Sequence, residues 1–154
     1  MSAIAAVAAT RYPPKGVRVY RGPTRATGFG RDKCYTPTVD DQTAVLVQVE
    51  SLHALENVEA IATTEGVDGV FFGPADIAAD MGYLGQAMHD EVWAKILPAA
   101  MRLISKKIPV GTLVRDVSFA RRLLSAGFTF VACGSDAGLL AHAADTLLEA
   151  VKAP

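Results

Sequence analysis

The chain has 154 residues, 51% hydrophobic and 20% charged, enough apolar material for one packed core and too much for a disordered tail. Fifteen Lys and Arg against sixteen Asp and Glu leave a formal charge of −1, which argues against a general nucleic-acid binder. Two cysteines, Cys34 and Cys133, are too few for a disulfide framework or a Cys-rich zinc site and suit a reducing compartment. No apolar run reaches the ~18 residues of a membrane span, and the apolar start lacks the basic n-region of a signal peptide. These bounds predict a soluble, cytoplasmic protein forming one domain over 1–154, with no membrane or nucleic-acid partner.

Residues 1–42 read as part of a helix followed by a long basic loop. Residues 1–39 hold seven bases (Arg11, Lys15, Arg18, Arg21, Arg25, Arg31, Lys33) and one acid, Asp32. Turn formers crowd the same stretch: Pro13-Pro14, Gly16, Gly22-Pro23, Gly28, Gly30 and Pro37. A long irregular connection is uncommon unless it binds or caps something. This one reads as a solvated loop, or as one that attracts an anion or packs on a partner chain.

Residues 43–154 are regular. Ala44–Val49 is a nearly continuous apolar run, as in a strand buried on both faces, and ends at Glu50. Leu52, Leu55, Val58 and Ile61 follow at helical spacing toward Gly66, a stop signal. Val67–Phe72 is a second strand. Pro74 then suits the first turn of a short helix, where its missing N–H is harmless. A longer helix spans about 90–106, with Pro98 expected to kink it or restart it. Pro109–Val114 is a third strand, 117–126 a helix closed by Gly127, Phe128–Cys133 a fourth strand, and Leu139–Val151 a last helix. The alternation predicts parallel βα units. Either an open doubly wound sheet or a (β/α)₈ barrel yields such units, and four strands are half of a barrel of about 250 residues.

In both architectures chemistry gathers where strands end and helices begin. Glu50, Asp76 and Asp136 stand there. Asp136 reads first as an N-cap. Asp76 competes between that role and a site where Gly73-Pro74 leaves backbone N–H groups free for a carboxylate or phosphate. Glu50, directly after the apolar run, is costly to bury unless paired or bound to a metal. If the first two units are neighbours, Glu50 and Asp76 suit a hard divalent cation such as Mg²⁺ or Mn²⁺. His53, His89 and His142 fall in helices or a connection and read as surface or packing residues. Cys133, without an evident base, reads as small core filler. No Gly-x-Gly-x-x-Gly, P-loop or Gly-x-Ser-x-Gly is present.

Val45–Ser51, Glu65-Gly-Val-Asp-Gly-Val-Phe-Phe-Gly-Pro-Ala-Asp76 and Phe130–Asp136, with Arg11-Tyr-Pro-Pro14 and Thr24-Arg-Ala26 ahead of them, resemble the HpcH/HpaI family of metal-dependent 2-oxo acid aldolases. The resemblance runs over nearly the whole chain. It implies a TIM barrel of the phosphoenolpyruvate/pyruvate type, of which these four βα units are about half. Glu50 and Asp76 match the carboxylates that bind the divalent metal (Mg²⁺, Mn²⁺ or Co²⁺). Gly73, Pro74, Ala75 and Asp76 match the helix start that receives the pyruvate carboxylate, and Leu113 matches a pocket-lining position. The implied reaction is class II retro-aldol cleavage of a 4-hydroxy-2-oxo acid to pyruvate and an aldehyde, the metal chelating the 2-oxo acid and stabilising the enolate. The family's histidine base and its arginine fall in the half of the barrel without a counterpart in 1–154, so the chain alone is expected to be weakly active or inactive. Val17–Gly22 and Pro98 depart from the family pattern. The family also implies a homo-oligomer assembled through the last helices. Two other readings stay open: a non-catalytic half-barrel that self-associates through edge strands 44–50 and 128–133, and a citrate-lyase-like enzyme acting on an acyl-CoA ester.

Overall fold

The four apolar runs line up as one parallel sheet in the order β1-β2-β3-β4, seen in a computed structural model that describes residues 2–152. In chain order the elements are α1 (Ala3–Thr10), a single 3₁₀ turn (Arg25–Thr27), α2 (Tyr35–Gln42), β1 (Leu46–Val49), α3 (Leu52–Glu56), α4 (Val58–Ala62), β2 (Gly69–Phe72), α5 (Pro74–Asp80), α6 (Asp90–Ser105), β3 (Val110–Leu113), α7 (Val117–Ser125), β4 (Phe130–Ala132) and α8 (Asp136–Lys152). Val49 pairs with Phe72, Phe72 with Thr112 and Leu113 with Ala132, so the C-terminal ends of all four strands share one edge.

Among the described residues the helices cover one face of the sheet. Val47, Val49, Val70, Phe72, Val110 and Val114 are buried with Leu55, Val58, Ile77, Val92, Trp93, Ile96, Leu103 and Leu123 of the helices in one core. Each fully buried large side chain there contributes about 1.5–3 kcal/mol. The one fully buried strand hydroxyl among the described residues, on Thr112, donates to Phe72 O at 3.0 Å and is therefore not stranded. The opposite, concave face is open: Leu46, Leu113 and Phe130 are 51%, 40% and 53% exposed. The first strand is therefore not buried on both sides as its apolar run suggested. Its burial alternates, because the helices pack against the Val47–Val49 side alone.

Other boundaries differ from the sequence reading for local reasons. The helix expected over 52–62 is two helices broken at Asn57, whose side-chain amide donates to His53 O at 2.8 Å as its backbone leaves the helical region. Pro98 interrupts nothing: α6 runs unbroken for 16 residues with that proline on its exposed side. The last helix starts at Asp136, three residues early. Ser135 caps it by accepting from Gly138 N at 3.2 Å, while the Asp136 carboxylate accepts only from Ala137 N, so Asp136 is not the N-cap. Cys133 is exposed rather than core filler, because β4 stops at Ala132 on an uncovered edge.

The basic segment is more ordered than a loop. The Asp32 carboxylate accepts from the N–H groups of Cys34 and Tyr35, starting α2, and Pro37 sits harmlessly in that first turn. Arg11 donates to Asp40 O, and both Arg11 and Lys15 pair with the Asp40 carboxylate, at 3.7 and 3.1 Å. Arg18 stacks 4.6 Å from the Tyr12 ring centre and donates to the Tyr35 hydroxyl. These contacts occupy three of the seven bases internally.

Candidate metal and substrate site

Strand alternation carries past the end of β1. Val47 and Val49 turn to the helices, so Gln48 and Glu50 fall on the concave face. The Val49–Phe72 pairing sets Glu50 beside Gly73, whose N–H donates to Val49 O at 2.9 Å. The Glu50 side chain lies over Gly73: a Cβ there would meet Glu50 Cγ at 2.8 Å and Oε1 at 3.2 Å. Gly73 is thus a cradle for the carboxylate. Pro74 opens α5 with no side-chain cap, and among the described residues no acceptor takes the N–H of Ala75 or Asp76.

Glu50, Gly73, Pro74, Ala75, Asp76 and Leu113 all line one cleft of about 740 Å³ at the C-terminal edge of the sheet. Neither Glu50 nor Asp76 has a hydrogen-bond or ion-pair partner among the described residues. Both are exposed, so the burial cost argued for Glu50 from its position does not apply, the concave face being open to water. Among the described residues no group of three or more His, Cys, Asp or Glu could hold a metal ion. The donors present are two hard oxygen ligands, the set suited to an ion such as Mg²⁺ that keeps several waters. The Gly73 cradle, which leaves the Glu50 carboxylate room beside the α5 start, fits such an ion.

The cleft also holds residues that the sequence reading passed over. His89 lines it, with Nδ1 accepting from Glu91 N at 3.2 Å and the ring stacked 3.8 Å from that of Tyr83. Its signal was its place just before the acidic first turn Asp90-Glu91, an N-cap position. Gln48 and Arg115 line the cleft too, and alternation through β1 and β3 was the signal for both. Asp116 caps α7, accepting from Phe119 N and the Ser118 hydroxyl, each at 2.6 Å. The Ser118 hydrogen bond first, then the Phe119 amide, holds its carboxyl below the usual carboxylate range. His53 and His142 lie elsewhere, on exposed surfaces of α3 and α8.

Comparison with known proteins agrees with this architecture. A family model described as HpcH/HpaI aldolase/citrate lyase matches residues 1–143. The chain belongs to that family. This HpcH/HpaI chain is 50% identical over 143 residues to a pyruvate aldolase of Rhizobium etli, covering 93% of its own length and 56% of the relative. It is 46% identical over 142 residues to a hydroxypyruvate/pyruvate aldolase of Cupriavidus necator, covering 92% and 53%. Its fold superposes on the crystal structure of an HpcH/HpaI aldolase/citrate lyase family protein from Burkholderia cenocepacia with a TM-score of 0.85 at 36% identity, covering 97% of this chain and 60% of that one. The HpcH/HpaI chain therefore spans a little over half the length of the curated relatives it matches, and its four βα units form about half of a TIM-type barrel. Among the described residues no helix is long and apolar enough to cross a membrane.

Proposed function

We propose that the cleft is the metal and 2-oxo acid half of a class II pyruvate aldolase site, which cleaves a 4-hydroxy-2-oxo acid reversibly to pyruvate and an aldehyde. The observation that carries this is the meeting of Glu50, Gly73 and Asp76 in one cleft of a chain half identical to a pyruvate aldolase. Glu50 and Asp76 hold a divalent cation (Mg²⁺, Mn²⁺ or Co²⁺), which when bound supplies Lewis-acid polarisation of the 2-oxo group. The free N–H groups of Ala75 and Asp76 orient the substrate carboxylate. Leu113 and Phe71 present apolar surface to the carbon chain. Cleavage breaks the C3–C4 bond as the 4-hydroxyl loses its proton to a base. The electron pair passes into the 2-oxo group, and a proton delivered to C3 completes pyruvate.

That base belongs, by resemblance, to the part of the family barrel that this chain does not cover. Loss of a positioned base commonly costs about 10²–10⁴-fold, so the 154-residue chain alone turns over slowly or not at all. Calorimetric titration with Mn²⁺ tests the site: binding heat in the parent protein is lost in Glu50→Gln and Asp76→Asn. Unchanged heats in both variants sink the reading. Pyruvate release by the chain alone at rates typical of whole aldolases would remove the division of labour.

The protein acts as a homo-oligomer. On α8, Leu139, Leu140, Leu147, Leu148 and Val151 are all exposed, an apolar strip that supports association through the last helix as the family resemblance implies. A second reading, a non-catalytic half-barrel pairing with its own copy, draws support from the unpaired outer edges of β1 and β4 beside exposed Leu46 and Phe130. Light scattering that finds a stable monomer at micromolar concentration removes both forms of self-association.

A further inference from the structure

The last strand ends on a thiol. β4 stops at Ala132, and the Leu113–Ala132 pairing sets Cys133 alongside Val114, next in the chain to Arg115. Gly134 then turns the chain at φ +147°, a conformation that side chains rarely adopt, before α8 begins. Cys133, Arg115, Ser135 and His142 line one cavity of about 200 Å³ at this turn. His142 reaches it from about two turns along α8, on the same helix face as the Ser135 cap. The cavity sits at the opposite end of α8 from Leu147, Leu148 and Val151.

No acid lines this cavity. The Asp136 carboxylate is turned to Ala137 N, and Asp116 is committed to the α7 cap. Arg115 and His142 take part in none of the ion pairs among the described residues. The Cys133 thiol is exposed and weakly tied, donating to Val131 O at 3.7 Å. An accessible thiol beside a fixed positive charge and an imidazole is the setting in which cysteines are modified selectively. Cys34, also exposed, is placed differently. The Asp32 carboxylate accepts from its N–H at 2.8 Å, and the Lys33 ammonium is engaged by Gly30 O.

We infer that Cys133 is a modification site for small disulfides that carry carboxylates, with Arg115 holding the carboxylate while the thiol exchanges. The Cys133 thiol gives its proton to water, and the thiolate attacks one sulfur of the disulfide. A new S–S bond forms to Cys133 and the original S–S bond breaks. Its electron pair leaves on the other half, which takes up a proton as a free thiol. The Cys133 sulfur is oxidised and the departing half reduced, so the step needs no further oxidant. Glu50 and Asp76 do not line this cavity, so the site stands whether or not the larger cleft binds a cation.

The test compares glutathione disulfide, an anion at neutral pH, with the uncharged bis(2-hydroxyethyl) disulfide. Peptide mapping by mass spectrometry follows both cysteines over time, with Cys34 as the internal reference. The ratio of the Cys133 rate to the Cys34 rate is roughly fivefold higher with the anionic reagent, the scale of an exposed charge pair. Arg115→Gln brings the two ratios together, and Arg115→Lys keeps part of the difference. Arg115 is exposed, so neither variant removes core packing. Salt at ~1 M screens the difference away in the parent protein. Equal ratios for the two reagents in the parent protein, a difference that survives Arg115→Gln, or no adduct on Cys133 while Cys34 reacts each overturns the assignment.

Discussion

Gly73 lies directly beneath Glu50, close enough that one added methyl group would press on the Glu50 side chain at 2.8 Å. The backbone of Gly73, at φ −100°, is open to any residue, so the glycine answers to space and not to conformational freedom. Gly73→Ala displaces the Glu50 carboxylate without straining the turn. We expect about a tenfold loss of Mn²⁺ affinity, the usual scale for disturbing the support of a ligand, with little change in melting temperature. Mn²⁺ titration and a thermal melt of the same sample decide it. Unaltered affinity would mean that Glu50 is not held in place by the cradle.

Pro98 lies on the solvent side of an unbroken α6 and cannot donate to the carbonyl of Ala94. A proline inside a helix costs about 3 kcal/mol where nothing compensates. Pro98→Ala restores the donor and removes no core contact, so it should stabilise the fold by about 1 kcal/mol or more. Chemical denaturation measures this; a lower unfolding midpoint with an unchanged slope contradicts it.

The Asp116 cap makes stability depend on pH in one direction. Its carboxyl is lowered in the folded protein, chiefly by the Ser118 hydrogen bond and then by the Phe119 amide. The contribution is therefore fully present above the unfolded value, about 4, and is lost as pH falls through the lower folded value. Asp116→Asn keeps a neutral cap. Thermal melts from about pH 7 to about pH 3 should show a shallower acid decline in the variant than in the parent. Parallel declines would assign the acid sensitivity elsewhere.

Much of this was readable in the amino-acid sequence where burial or turn chemistry dictates the residue. The four apolar runs became four strands, and Gly73-Pro74 became the turn that opens α5 and sets Asp76 in the lining of the same cleft as Glu50, because a proline at a helix start and a glycine under a neighbouring side chain leave local marks. What was misread had tertiary causes. The run Ala44–Val49 looks buried on both faces, yet among the described residues the helices cover one face of it alone. Asn57 breaks a helix through one side-chain bond to His53 O, which apolar spacing does not encode. His89 and Arg115 join the cleft from just before α6 and just past β3, positions that the sequence marks only indirectly, by an N-cap place and by alternation carried beyond Leu113.

The pairing of Val49 with Phe72 also makes the site fragile to an insertion. Side chains along a strand alternate, so one additional residue within 46–49 would exchange the two faces from that point to the end of the strand. Glu50 would swing away from Gly73 and into the layer occupied by Val58 and Ile77, where an unpaired charge is costly. Such a lengthened gene would keep nearly the same hydropathy profile while losing the proposed cation ligand. Among homologues, the spacing between Val45 and Glu50 is therefore a more telling mark of a working site than overall identity.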